Sequence, residues 1–208
     1  MRSLLLMLLW SALAAAAALA AVDDASDDAY RPHTPTLVYY LSGVEGRADT
    51  DAILAKVSAL PSVRKASVTI ERGYAQVRFD SHAVSYHQVA QAIADAGASI
   101  GKKFAPRLKI TVPEYALGEN AAKVDAVFAG KRLNQRVRIE PLDKAQGQFL
   151  VYLLPLQLDA DATGPQGFNG GHLNHPLHDP PPRGLGLTCS YAAEDDGVSA
   201  ASAPRSEP

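Results

Sequence analysis

Between Thr36 and Gly97 the spacing of the apolar residues changes period several times, and few folds accommodate that succession. Thr36 to Ser42 (TLVYYLS) is β-rich and precedes a glycine-punctuated loop, which predicts a strand. Asp49 or Thr50 can cap a helix in which Ile53, Leu54, Val57 and Leu60 recur at three- and four-residue intervals until Pro61 stops it. Val63 to Ile70 and Tyr74 to Phe79 are joined by Glu71-Arg72-Gly73. Val68, Ile70, Ala75, Val77 and Phe79 alternate through them, which is a hairpin pattern. Ser85 and Gln88 form a capping-box pair ahead of Val89, Ala92, Ile93 and Ala96, and Gly97 stands where a left-handed residue could close that second helix. With a last strand expected around Ser99 to Phe104, the order is β-α-β-β-α-β, a small α+β module.

This stretch resembles the heavy-metal-associated domain, the ferredoxin-like βαββαβ sandwich of copper chaperones, mercury-binding proteins and the N-terminal parts of metal-pumping ATPases. The residues that carry the resemblance are Gly43, Val44, Leu60, Pro61, Val63, Val68, Gly73, Ala75, Val77, Phe79, Asp80, Val84, Ser85, Ile93, Ala96 and Gly97. The family places a Cys-x-x-Cys pair in its first loop, whereas this chain has Gly46 and Asp49 there. Cu(I) needs polarisable thiolates, so a glycine and a hard carboxylate imply that the family's own metal site is missing. Asp49 reads as a helix cap or as a residual ligand, and Gly46 as a source of loop flexibility.

Residues 1–20 read as a cleaved secretory signal: Arg2, an apolar run from Leu4 to Leu13, then small residues ending in Ala18-Leu19-Ala20. The alternative is an uncleaved anchor, because the alanines lengthen the apolar run toward a membrane span. Residues 21–35 form an acidic, proline-bearing linker with Asp23, Asp24, Asp27 and Asp28. The expected location is periplasmic or secreted, with no membrane span left after cleavage. A formal net charge of −2, with its 20 basic residues scattered, offers no stripe for nucleic acid.

After the first module, spanning 36–105, the pattern starts again at an offset of 71 residues from Leu37 to Leu108. Leu108 to Val112 answers the first strand. Ala121, Val124, Val127 and Phe128 form a helical stripe ending at Gly130, and Val137, Ile139 and Phe149 to Leu154 answer the hairpin, with Gly147 in its turn. A second, diverged ferredoxin-like module over 107–191 is one reading, and a plain β-α-β-β unit is the other. Its first loop, Pro113 to Gly118, also lacks cysteines, and residues 192–208 read as a disordered tail.

Where the second module should carry its second helix, the sequence becomes rich in glycine, proline and histidine. His172, His175 and His178 stand three residues apart, followed by Asp179. Imidazole binds Zn(II), Cu(II) and Ni(II) and works where thiols do not persist. Residues three apart on a helix can chelate, residues six apart cannot without a bend, and Pro176 argues against a continuous helix. The alternatives are an ordered loop in which Leu173 and Leu177 cover the sheet, or a pH-sensitive surface. Cys189, the one cysteine, cannot form an internal disulfide. Set in a final strand, it reads as a small buried residue, a metal thiolate or an intermolecular link. His82 and His87 read as surface positions, and Tyr39, Tyr40, Tyr74 and Phe79 as packing residues.

No Gly-x-Ser-x-Gly, phosphate loop, His-Glu-x-x-His or paired-carboxylate pattern is present, so enzyme activity is not expected. Two functions remain open. One is an exported protein that binds a transition metal ion through His172, His175 and His178. The other is a metal-free module that presents the scaffold to a protein partner.

Overall fold

The computed structural model describes residues 34–134, 136–159 and 161–192; the expected signal, most of the acidic linker and the tail lie outside them. The fold is α+β and ferredoxin-like. Its first half runs β1 (Thr36–Tyr40), α1 (Arg47–Ser58), β2 (Val63–Thr69), β3 (Tyr74–Phe79) and α2 (Tyr86–Ser99). Its second runs β4 (Arg107–Thr111), a 3-10 turn (Pro113–Ala116), α3 (Asn120–Asn134), β5 (Val137–Asp143), β6 (Gln148–Leu153), α4 (Gly171–His178) and β7 (Ser190–Tyr191).

All seven strands join one sheet in the order β2-β3-β1-β4-β6-β5, and every pairing is antiparallel. β7 lies on the β1 side of β4 and pairs with it through Ile110↔Tyr191 and Thr111↔Ser190, while β1 meets β4 at Tyr40↔Arg107. The backbone just after β7 fills the rest of the seam: Val38 N donates to Ala192 O and Ala192 N donates to Lys109 O, both at 3.1 Å. β4 thus closes the first half as its fourth strand and opens the second as its first. Ser99 to Phe104, expected as the last strand of the first module, is therefore not one: β4 holds the place beside β1. The second half completes the same course with β7-β4-β6-β5.

Alternation puts one face of every strand into a single core that crosses both halves. Leu37, Tyr39, Val77, Phe79, Leu108, Ile110, Ile139, Phe149 and Val151 point into it, against Ile53, Val57, Val89, Ile93, Val124, Phe128, Leu173 and Leu177 from the helices. The opposite face groups Val38, Tyr40 and Tyr74 with Ala192, and the guanidinium of Arg138 sits 4.4 Å from the ring centre of Tyr152. Among the described residues no helix is long and apolar enough to cross a membrane.

Further details differ from expectation. Helix α1 starts at Arg47 with Gly46 as its N-cap, so Asp49 is the third helical residue rather than the cap. Gly97 lies inside α2 without a positive φ; its bareness is needed because a Cβ would come within 2.9 Å of the Phe104 ring. Helix α3 runs past Gly130 to Asn134. The final strand shrinks to Ser190–Tyr191, and α4 forms with Pro176 inside it.

Candidate functional site

The first loop, where the resembled family has its cysteine pair and this chain has Gly46 and Asp49, is built around a fixed charge. Asp49, 2 % exposed, accepts hydrogen bonds from Glu45 N at 2.8 Å and Gly46 N at 3.3 Å, so its carboxylate serves amides that the start of α1 leaves unpaired. Lys102, from the turn after α2, brings its ammonium to 2.8 Å from the same Oδ2 and to 3.4 Å from Glu45 Oε2. The Lys102 hydrogen bond, then the Glu45 amide, hold the Asp49 carboxyl below the usual carboxylate range, and Asp49 in turn raises Lys102. Gly46 has an extended backbone and nothing within 4 Å of a built Cβ, so its place is open rather than sterically demanding. A loop with a glycine, a hard carboxylate and an internal ammonium does not fit a soft metal ion.

The second candidate lies on α4. Despite Pro176, Gly171–His178 closes a helix because Leu173 and Leu177 are fully buried in the core and later backbone braces it: Leu185 N donates to Pro176 O and Leu187 N to Leu177 O. His172 stacks on Phe168 at 5.8 Å, and its Nδ1 accepts from Asn169 N at 2.9 Å. The ring of His175 is exposed, with Nδ1 3.6 Å from Asp179 Oδ2. His178 is exposed on the last turn. The helix spaces these rings along its length, and among the described residues no three His, Cys, Asp or Glu side chains gather to hold a metal ion. Cys189 is half-buried, its Sγ 3.3 Å from Asn174 Oδ1; burial pushes its thiol up to about 12, which keeps it protonated. A cleft of about 260 Å³ beside α3, lined by Phe128, Ile139 and Phe149 with Asp125 and Lys144, is smaller than a typical ligand pocket.

Comparison with known proteins adds the following. No protein-family model matches the chain, and no curated protein matches it. Among solved structures it is similar to the water-soluble region of the P-type ATPase CopA from Bacillus subtilis, at 17% identity and a TM-score of 0.34, covering 80% of this chain and 96% of that one. It is also similar to the N-terminal soluble domains of Bacillus subtilis CopA, at 17% identity and a TM-score of 0.29, covering 61% of this chain and 82% of that one. Scores this low leave the ferredoxin-like assignment resting on the strand order itself.

One residue was misplaced by sequence reasoning. His87, expected at the surface, is fully buried at the second position of α2. Its Nε2 lies 2.6 Å from Leu154 O, and its Nδ1 accepts from Phe168 N at 3.3 Å. Those partners lie far along the chain, so no local pattern could announce them. The neighbouring capping box did hint at a busy terminus: Gln88 Oε1 accepts from Ser85 N at 2.8 Å and also from Gln166 N at 3.1 Å.

Proposed function

We propose that this is an exported, non-enzymatic protein in which two diverged copies of a heavy-metal-associated-like scaffold act as a metal-free module for binding a protein partner. The observation that carries this reading is the Lys102 ammonium 2.8 Å from Asp49 in the first turn of α1, beside the loop where the resembled family holds its ion. A built-in cation already neutralises the carboxylate, so the loop gains little from a second positive charge. Export is supported by the signal-like residues 1–20.

A second reading keeps a metal on α4. It is favoured by the exposed His175 ring and the Asp179 carboxylate 3.6 Å from it, with His172 and His178 one turn to either side. Two such groups make a weak site for Zn(II), Cu(II) or Ni(II), which needs further ligands to become tight.

The deciding experiment is calorimetric titration of Zn(II), Cu(II), Ni(II) and Cu(I) into the mature protein and into a His172→Ala, His175→Ala, His178→Ala variant. The interaction reading expects no stoichiometric ion in either protein beyond weak surface-histidine binding. Stoichiometric uptake by the native protein, lost in the variant, would overturn it and place the site on α4.

A further inference from the structure

The segment between β6 and α4 has no regular structure in its described residues, yet it is fastened at both ends to the first turns of α2. Leu156 N donates to Gln91 Oε1 at 3.0 Å, Ser85 Oγ donates to Gln166 O at 2.5 Å, and Gln166 N donates to Gln88 Oε1 at 3.1 Å. His87 N, one of the amides that a helix start leaves without an intrahelical partner, donates to Phe168 O at 3.0 Å. The His87 ring then joins the two ends, Leu154 through Nε2 and Phe168 through Nδ1.

Only one protonation state satisfies both contacts. Leu154 O can only accept, so Nε2 carries the proton; Phe168 N–H can only donate, so Nδ1 must be bare. A second proton would set an N–H on Nδ1 against the Phe168 N–H in a fully buried position. Among the described residues, the hydrogen-bond partners of the ring are the backbone groups of Leu154 and Phe168. Arg136, in the turn just before β5, donates its Nε to Pro155 O at 3.0 Å, and its charge opposes protonation of the ring. Gly167 is part of the same design: a Cβ there would come within 2.8 Å of His87 Nδ1 and 2.7 Å of a Leu156 methyl, so the backbone approaches the ring only because residue 167 is bare, with φ at +75°.

We propose that His87 is a proton-operated latch: neutral, it holds the two ends of the strap, Leu154 and Phe168, against α2, and taking up a proton favours their release. Release would uncover Phe168, which is fully buried and packs edge-to-face with Tyr86 at 6.5 Å, so the acid form presents an aromatic surface that the neutral form hides. The sign follows from burial and from Arg136, which lower the ring's affinity for a proton in the latched state, with the Leu154 bond opposing them in part. The opened state has an ordinary histidine and binds more protons. The latch is therefore fully closed above about pH 6.5 and weakens as pH falls below that value, levelling off under the depressed latched value.

The test is hydrogen exchange of the full mature protein, with site resolution at Leu156, Gln166 and Phe168, from about pH 7.5 to about pH 5 and corrected for intrinsic exchange. Protection at these three amides is expected to fall by up to about tenfold per pH unit over the window, while β1, β3 and β4 keep theirs. His87→Gln, which retains a donor near Leu154 O but does not titrate, should show no such slope. Imidazole 15N shifts of the native protein read the tautomer and titration of His87 directly, whether or not the variant folds. A flat strap profile in the native protein, loss of protection over the whole sheet together, or a bare Nε2 at neutral pH would each overturn the proposal.

Discussion

Helices α2 and α4 occupy the same step in the two halves of the molecule and are held in place by different means. α2 runs for 14 residues and opens with a reciprocal cap, Gln88 N to Ser85 Oγ at 3.0 Å and Ser85 N to Gln88 Oε1 at 2.8 Å. α4 runs for 8 residues, has no side-chain cap and contains a proline. The offset between equivalent elements grows along the chain: 71 residues from β1 to β4, 74 from β2 to β5, 85 from α2 to α4. The added length collects between β6 and α4, where the first half needs only the short turn between β3 and α2. One helix is written locally and the other is imposed by its surroundings, and the added segment is tied back onto the helix that needs no help.

The largest effect should come from asking whether the halves are separable at all. Phe79→Ala and Phe149→Ala each empty a fully buried ring position, one per half, and should each cost about 3–5 kcal/mol. Because one core crosses the sheet, either variant should lower a single cooperative unfolding transition, followed by circular dichroism and tyrosine fluorescence in urea. Two separated transitions would show that the halves hold themselves up independently.

Next come the terminal features of α2 that α4 lacks. Gly97→Ala drives a methyl into the Phe104 ring and Lys102 O, both at 2.9 Å, and should cost about 1–3 kcal/mol. Ser85→Ala removes the cap and the link to Gln166 and should cost about 1–2 kcal/mol, with faster amide exchange at Gln88. If Ser85→Ala were neutral, α2 would depend on tertiary support as much as α4 does.

This contrast also explains what could be read from the sequence. The first half was legible because its signals are short-range: the Ser85-Gln88 pair, the alternation through Ala75, Val77 and Phe79, and the stripe Ile53, Val57. α4 was not, since Pro176 argues against a helix and only the burial of Leu173 and Leu177, with the braces from Leu185 and Leu187, outweighs it. His87 was misjudged for the same reason, because a histidine at a helix start is usually solvated and its partners here lie beyond residue 150. Gly97 was recognised as necessary but for the wrong cause: close packing against Phe104 leaves the same signature as a left-handed end.

The starts of α1 and α3 sharpen the comparison electrostatically. At the same offset of 71, Asp49 draws loop amides toward α1, whereas Asn120 Nδ2 donates to Glu114 O at 2.9 Å to hold the loop before α3. Only the first arrangement carries a charge. The Asp49 carboxyl is held below its ordinary value, so its contribution is present above about pH 4 and is lost as pH falls through the depressed folded value. The urea midpoint of native protein should fall more steeply than that of Asp49→Asn between about pH 5 and about pH 2. The effect is modest because Lys102 is 39% exposed and water screens the pair. Parallel profiles would remove the charge from the explanation and leave only the two amide contacts.

The smallest expected change has the opposite sign. Gly130 stands one offset beyond Ala59, the residue that closes α1, yet α3 continues through it to Asn134. It is exposed, has nothing within 4 Å of a built Cβ and does not have a positive φ. A glycine so placed costs helix stability without serving a turn, so Gly130→Ala should stabilise the protein by about 0.5–1 kcal/mol. The urea midpoint reads this directly. A loss of stability would mean that α3 ends where α1 does, with residue 130 left-handed in solution, and would bring the second half closer to the first than its helix lengths suggest.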